Sequence, residues 1–262
     1  MTLILTEISR IGIAMAADSA VLQRTPRPDG TVAENVLSGV VKLRQIPKLN
    51  AGISIWGRGE INYCGVRYAT SDWLEYIIKN RENEYNSLED FARLLETELR
   101  LLITDFNLQR YPLGDIGFHL AGYSDWEGRK VPDFWHIHNG FSQALEMRGI
   151  RMDPDRVNAN HDMSPRLLSC FLEMFGAYVT RNGDFPEYVE LFEVVNMRLA
   201  EFARRGFIIP CPPTLENRAR WLRFQIQLMS ELYGFSNRPQ IIGGQIPTLT
   251  ITPEGKMVYD PG

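Results

Sequence analysis

The first nineteen residues constrain the fold more than any other stretch of the chain. Two apolar runs, residues 2–8 and 11–17, are separated by the polar pair Ser9–Arg10, and a glycine, Gly12, stands at the bend. This pattern predicts a β-hairpin of two antiparallel strands. The second run is almost wholly apolar, which is typical of a strand that is buried on both faces. We therefore expect the hairpin to be covered on both sides by other parts of the chain.

A carboxylate and a threonine mark the two ends of this hairpin. Asp18 ends the second run, and Thr2 begins the first. In an antiparallel pair these ends are neighbours, and a buried Asp18 needs a partner because an unpaired charge in a core is costly. If Met1 is removed, Thr2 carries a hydroxyl and a free α-amine, which together form a nucleophile with its own base. The β propensity of threonine explains its presence at the start of a strand equally well.

Four sequence features stand in the same order as in a known family. They are Thr2, the segment Ala16-Ala17-Asp18-Ser19, the segment Val41-Lys42-Leu43 and the strand end Trp56-Gly57-Arg58-Gly59. In these features the chain resembles the β-subunits of the proteasome, which belong to the N-terminal nucleophile (Ntn) hydrolases. The spacing from Thr2 to Asp18 equals that of the family, and the longer spacing from Asp18 to Lys42 is accommodated by a Pro/Gly-rich loop at 24–30. The resemblance covers roughly residues 1–140 and 233–262.

The resemblance implies a role for each of four residues. Thr2 would attack an amide carbonyl with its own α-amine as the base. Lys42 would place a positive charge beside Thr2, and Asp18 would pair with Lys42 and hold it in place. The backbone N–H of Gly57 would donate to the oxyanion. Without the resemblance, Asp18 and Lys42 also fit a buried structural ion pair, and the glycines after Trp56 also fit a strand-to-helix turn.

The resemblance also implies a fold and a function. The fold would be of the α+β class, a four-layer α/β/β/α sandwich of two antiparallel sheets, in one domain over residues 1–262. The function would be amide hydrolysis through Thr2 after removal of Met1, with a peptide as substrate, in a homo-oligomer that is a ring in this family. An inactive proteasome-like scaffold or assembly subunit and a small-molecule amidohydrolase remain open as alternatives, and the sequence identifies no ATPase partner.

Several helices are expected between the strands. Apolar positions at helical spacing predict one helix over residues 60–80, and a capping pattern at Ser87 predicts a second, strongly amphipathic helix after it. Further helical patterns, where the resemblance fades, predict a helical insertion around 141–211.

The chain departs from the family near its end. The family places an Asp and a Ser just before a Gly-Gly pair, where they support the terminal amine. Here Gly243-Gly244 follows residues 237–242, which read NRPQII. We therefore expect activation of the α-amine to differ, either with Ser236 or Asn237 as substitutes or with slow or absent catalysis.

Composition excludes several classes of protein. The net charge of −4 and the pI of about 5.7 give no indication of nucleic-acid or anionic-membrane binding. No apolar run approaches the roughly 18 residues that span a bilayer, and the N-terminus lacks the pattern of a signal peptide. Three widely spaced cysteines give no disulfide framework and favour a reducing cytoplasm.

No cofactor or metal is expected. His136 and His138 are two residues apart on a predicted strand and therefore share a face, as a pair of metal ligands would. Because no cysteine or carboxylate ligands are evident nearby, we interpret them as histidines of a sheet.

Overall fold

A computed structural model of the chain describes residues 2–27, 29–63, 66–108, 116–139, 157–161, 163–182, 194–195, 197–199, 201–202, 204–206, 212–235 and 242–262. The strands are β1 (Ile4–Ser9), β2 (Gly12–Ala17), β3 (Val21–Pro26), β4 (Val32–Leu37), β5 (Leu43–Ile46), β6 (Ala51–Gly57), β7 (Glu60–Tyr63), β8 (Val66–Ala69), β9 (Ile116–Trp126), β10 (Arg129–His138), β11 (Asn158–His161), β12 (Ala177–Asn182), β13 (Thr248–Ile251) and β14 (Met257–Asp260). The helices are α1 (Thr70–Asn80), α2 (Leu88–Leu108), α3 (Pro165–Phe175) and α4 (Leu215–Gly234), with 3₁₀ turns at Pro47–Leu49 and Glu82–Glu84.

The predicted N-terminal hairpin is confirmed and forms the middle of a sheet. β1 and β2 pair antiparallel, with Ile4 opposite Ala17 and Ser9 opposite Gly12. They belong to sheet I, a five-stranded sheet in the order β12-β1-β2-β13-β14. Sheet II has the order β11-β10-β9-β6-β5, and its neighbouring strands are also antiparallel. The expected mixed fold with antiparallel sheets is therefore present.

Alternation along the strands explains why the hairpin is apolar on both faces. In β2, Ala14 and Ala16 belong to a cluster with Leu222 and Ile226 of α4. Met15 belongs instead to a cluster that includes residues of sheet II. Successive side chains of a strand point to opposite faces, so one face of sheet I packs against α4 and the other against sheet II. The apolar run at 11–17 is thus required by two different contacts.

The other sheet packs against helices in the same way. A third cluster joins Phe118 and Ile137 of sheet II to Trp73 of α1 and to Phe91 and Leu95 of α2. Between the sheets the approach is close, because a Cβ atom at Gly52 would lie 2.5 Å from atoms of Met15 and Leu249. None of the helices in the described ranges has the length and apolar character needed to cross a membrane.

The single helix predicted over 60–80 is wrong in its first half. Residues Glu60–Tyr63 and Val66–Ala69 are strands β7 and β8, which pair with Ile61 opposite Tyr68. Aromatic and β-branched residues alternate in these segments, and that alternation favours strands over the helical spacing of the same apolar residues. The helix begins only at Thr70.

The segment predicted as a helical insertion contributes strands as well as a helix. Residues 140–156 and 183–193 lie outside the described ranges, so the insertion at 141–211 stays a prediction as a whole. Its described part contains β11, α3 and β12. β11 pairs with β10, and β12 pairs with β1, so both strands extend the sheets.

Candidate active site

Asp18 lies at the end of β2 and is the centre of a buried polar network. Its Oδ1 accepts hydrogen bonds from the backbone N–H of Leu3 and from Nζ of Lys42, each at 2.9 Å. Its Oδ2 accepts from the backbone N–H groups of Ala20, at 3.1 Å, and Gly243, at 3.4 Å. The start of β1 and the end of β2 are therefore neighbours, and the carboxylate has the partners that a buried charge needs.

Lys42 is buried beside this carboxylate. Its ammonium group donates to Asp18 and to the carbonyl of Ala20, while its own carbonyl accepts from the N–H of Ile55 in β6 at 2.9 Å. Burial raises the pKa of the Asp18 carboxyl and lowers the pKa of the Lys42 ammonium, and the attraction between the two opposes both shifts. A buried pair of ionisable groups with shifted pKa values, lying beside a cavity, is typical of functional sites.

Thr2, Lys42 and Gly57 line one small cavity. Its volume is about 10 Å³, which is room for a single water molecule. Thr2 is only 3% exposed, and Leu3, which follows it, is fixed by a backbone hydrogen bond from the N–H of Asp18 at 3.1 Å. The remaining walls of the cavity are formed by Val21, Val40, Ile55, Arg58, Gly59, Thr70 and Ser71. The structure thus brings together three of the four predicted site residues, with Asp18 directly behind Lys42.

Gly57 ends β6 in a backbone conformation that favours glycine. Its φ is +87°, a region that side chains with a Cβ atom rarely adopt. Two residues later, a Cβ atom at Gly59 would lie 2.6 Å from Val21. Thr70 holds this turn in place, since its hydroxyl donates to the carbonyl of Arg58 at 2.7 Å and its N–H donates to that of Gly59 at 2.9 Å.

The N-terminus of α1 also faces the cavity, a feature that the sequence analysis missed. Thr70 and Ser71 lie in its first turn and line the cavity. The N-cap residue, Ala69, makes no side-chain hydrogen bond that would cap the helix. A helix N-terminus carries a partial positive charge that favours nearby negative charge. A Thr-Ser-Asp sequence is a common signal for a helix start, but the helix predicted over residues 60–80 obscured it.

The Gly243-Gly244 pair packs against the end of β2. The carbonyl of Gly243 accepts from the N–H of Ser19 at 3.0 Å. At Gly244, φ is +74°, and a Cβ atom would lie 2.4 Å from the hydroxyl oxygen of Ser19. These contacts require glycine at position 244. Ser236 and Asn237, the expected substitutes for the family's Asp and Ser, lie outside the described residues.

The two predicted sheet histidines form a cluster with a third. The ring centroids of His136 and His138 are 4.5 Å apart, and those of His119 and His136 are 5.2 Å apart. Nδ1 of His119 lies 3.2 Å from the hydroxyl of Thr6 in sheet I, and Nε2 of His136 lies 2.8 Å from the Asn182 amide. Within the described ranges, no three His, Cys, Asp or Glu side chains are grouped so as to hold a metal ion. The cluster therefore links the two sheets through polar contacts.

Comparison with known proteins gives a match in structure only. No protein-family model matches the chain, and no curated protein matches its sequence. Among solved structures, the chain matches the Anbu (Gly-1) mutant from Hyphomicrobium sp. strain MC1 over 99% of this chain and 86% of that chain, with 11% sequence identity and a TM-score of 0.48.

Proposed function

We propose that this chain hydrolyses an amide bond with Thr2 as an N-terminal nucleophile, after Met1 has been removed. The observation that carries the proposal is the shared cavity of Thr2, Lys42 and Gly57, in which Asp18 fixes Lys42 at 2.9 Å. A purely structural ion pair has no need of a threonine hydroxyl or of a glycine turn at its side.

We further propose that the chain has the four-layer arrangement of this class of hydrolases. Helices α1 and α2 pack against sheet II, α4 packs against sheet I, and a further apolar cluster lies between the sheets. This order of contacts supports an α/β/β/α sandwich. In such an arrangement Thr2 lies at the end of a central strand, where neighbouring elements from both sheets reach it.

The proposed reaction follows the chemistry of an activated hydroxyl. Oγ of Thr2 attacks the carbonyl carbon of the amide, and the hydroxyl proton passes to the α-amine. The negative charge that develops on the carbonyl oxygen is stabilised by the N–H of Gly57 and by the N-terminus of α1. The leaving amine takes up the proton, and water then hydrolyses the ester formed on Thr2 to release the acid.

Lys42 and Asp18 have distinct parts in this reaction. The ammonium of Lys42 lowers the cost of negative charge on Oγ of Thr2. Asp18 is a positioning residue, because it holds Lys42 and the backbone of Leu3 at the same time.

The test is an intact mass measurement before and after incubation with a peptide epoxyketone, which reacts with both the hydroxyl and the amine of an N-terminal threonine. We expect loss of Met1 and one covalent adduct on the wild-type chain. Thr2→Ser should retain the adduct and Thr2→Ala should lose it, while both keep the thermal transition of the wild type. A retained Met1, or an adduct that persists in Thr2→Ala, contradicts the proposal and favours the scaffold alternative.

The size of the cavity favours a small acyl group over a bulky one. About 10 Å³ of free space leaves no room for a large side chain next to the scissile carbonyl without movement of Val21, Val40 or Ile55. A small-molecule amide is therefore a second candidate substrate. Comparing the turnover of acetyl and glycyl amides with that of leucyl and phenylalanyl amides shows whether the site accepts only small acyl groups or also the bulky ones of a peptide.

Assembly into a homo-oligomer, as a ring, is part of the proposal. It is supported by the sequence resemblance. Light scattering coupled to size-exclusion chromatography measures the mass of the particle directly.

A further inference from the structure

A second groove lies at the opposite end of sheet II from Thr2. β6 runs over 7 residues, with Gly57 at the candidate active site and Ala51 at the other end, next to Asn50 of this groove. At about 3.3 Å per residue, the two sites are roughly 20 Å apart along the strand. The groove has a volume of about 550 Å³, within the range of about 300–1,000 Å³ that small-molecule sites occupy.

A buried carboxylate and a histidine form the most organised part of this groove. Asp133 is 3% exposed, and its Oδ1 lies 2.9 Å from Nδ1 of His161. Its Oδ2 accepts hydrogen bonds from the hydroxyl of Ser124 and from Nε1 of Trp135. Oδ1 and Nδ1 are shielded from solvent, and neither has a hydrogen-bond partner among the described residues, so their 2.9 Å contact is a close approach and not an aligned hydrogen bond. Asp133 therefore lies beside Nδ1 of the His161 ring and covers that nitrogen.

This arrangement determines which atom of His161 is available to a ligand. Nδ1 faces Asp133, so Nε2 is the ring nitrogen that remains. The ring packs against Trp135 with centroids 3.8 Å apart, and the side chain of His161 is still 29% exposed at the groove. With the proton on Nδ1, Nε2 is an acceptor, and its natural partner is a hydroxyl group.

The rest of the wall is rich in acceptors and has an apolar face. Glu89 and Asp125 contribute exposed carboxylates, and the indole of Trp126 is 45% exposed. Two lysines, Lys48 and Lys130, line the groove together with three carboxylates, and Lys130 is paired with Asp125 at 2.8 Å. The groove therefore has no surplus of positive charge for an anion. Its chemistry fits a ligand that donates several hydrogen bonds and presents one apolar face to an indole.

We propose that this groove binds a cyclic polyol, a monosaccharide in the simplest case, with one ligand hydroxyl donating to Nε2 of His161. Asp133 covers Nδ1 of His161, and Trp126 packs against the apolar face of the ligand ring. The site is independent of the proposed amide hydrolysis, since it shares no residue with the cavity of Thr2.

Histidine NMR tests the proposal directly, because the chain has only 4 histidines. The ¹⁵N-histidine-labelled protein is titrated with glucose, galactose, N-acetylglucosamine and myo-inositol, and with inorganic phosphate as an anionic control. His161→Gln assigns the His161 signals. We expect at least one polyol to shift them in a saturable way at concentrations up to about 50 mM, which covers weak affinities.

Three variants distinguish binding from a structural pair. Trp126→Ala alters an exposed side chain and should weaken the affinity about tenfold without unfolding the protein. Asp133→Asn should weaken it at least as much, while Thr2→Ala should leave it unchanged. The proposal is overturned if no polyol shifts the His161 signals, if phosphate alone does so, or if Trp126→Ala binds as tightly as the wild type.

Discussion

The Asp18–Lys42 pair and the histidine cluster of His119, His136 and His138 are both in the interior, but they meet the cost of burial in different ways. The pair keeps two opposite charges 2.9 Å apart and adds backbone N–H donors to the carboxylate. In the cluster, burial lowers the pKa of His119 to about 3 and that of His136 to about 2, so both rings are neutral at pH 7. Charge is thus maintained at the cavity of Thr2 and avoided between the sheets.

This difference separates a site that can do chemistry from a contact that holds two layers together. Maintaining a charge pair in the interior is costly unless its geometry is well supported. The histidine cluster avoids that cost, because its buried rings His119 and His136 are neutral. Changes at the pair should therefore affect activity first, and changes at the cluster should affect stability and its dependence on pH.

The largest effect is expected for Lys42→Met, which keeps the length of the side chain and removes its charge. Activity or epoxyketone labelling should fall roughly 10³-fold, because the charge beside Thr2 is lost. The free energy of unfolding should fall by about 3 kcal/mol, since Asp18 is left buried without its partner. Lys79→Met is the control, because its side chain is 69% exposed and lies in α1. Equal activity in the two variants would show that Lys42 is only structural.

The second effect is a loss of stability in acid. The pKa of His119 is about 3 in the folded chain and about 6.5 in the unfolded chain, so the unfolded state binds the proton first. The contribution of His119 to the free energy of unfolding is fully present above about pH 6.5. It is lost as the pH falls towards 3, by up to about 1.4 kcal/mol per pH unit. Between pH 6.5 and 4.5 we expect a loss of roughly 2–3 kcal/mol from this residue.

Urea unfolding at a series of pH values measures this loss. His119→Gln should reduce the slope between pH 6.5 and 4.5, whatever it does to stability at pH 7. His161→Gln, at a half-exposed position, serves as the comparison. An unchanged slope in His119→Gln would assign the acid sensitivity to other groups.

Whether a contact of these two regions could be predicted from the sequence depends on how far apart its residues lie along the chain. The hairpin and the position of Asp18 beside the start of β1 follow from local alternation over less than twenty residues. The link between His119 and Thr6 joins residues 113 apart, and no local pattern encodes it. His119 is a single histidine in a strand until the register of β9 and β10 places it opposite His136.

The start of α1, the part of the candidate site that was not predicted, also depends on a contact that no local pattern settles. Apolar residues at 61, 64 and 68 satisfy a helical spacing, whereas those at 61 and 63 and at 66 and 68 satisfy a strand alternation. Segments this short leave the two ambiguous. The pairing of β7 with β8 decides for strands, and it places the start of α1 at the cavity. The buried ion pair of Glu7 with Arg218, 211 residues apart, was equally out of reach of any sequence pattern.

A third prediction concerns Gly244, which follows the glycine whose N–H donates to Asp18. Gly244→Ala should lower the free energy of unfolding by about 2 kcal/mol more than Gly206→Ala. Both glycines have positive φ, +74° and +76°, so the backbone strain is similar in the two variants. Only at Gly244 would the new Cβ meet another atom, Oγ of Ser19 at 2.4 Å, while at Gly206 it meets nothing within 4 Å. Similar unfolding curves for the two would mean that the loop around Gly244 moves freely.

The smallest effect is expected for Asn182→Ala, at the end of β12. With the Asn182 amide oriented so that its oxygen faces the two rings, this oxygen accepts from Nε1 of Trp56, at 3.1 Å, and from Nε2 of His136, at 2.8 Å. Trp56 and His136 belong to sheet II, and β12 belongs to sheet I, so this side chain is a bridge between the sheets. Its removal should cost about 1 kcal/mol, the usual net contribution of a hydrogen bond.

The variant also tests whether the two regions are independent. Asn182→Ala should lower the thermal transition by a few degrees. It should leave epoxyketone labelling of Thr2 at the wild-type rate, because Asn182 lies opposite Ile4 but does not line the cavity of Thr2. Asn160→Ala, at an exposed position of β11 in sheet II, is a matched control. A slower labelling rate in Asn182→Ala alone would mean that the contact between the sheets helps to position Thr2, because both Trp56 and Gly57 lie in β6. The charged and the neutral clusters would then be two parts of one site.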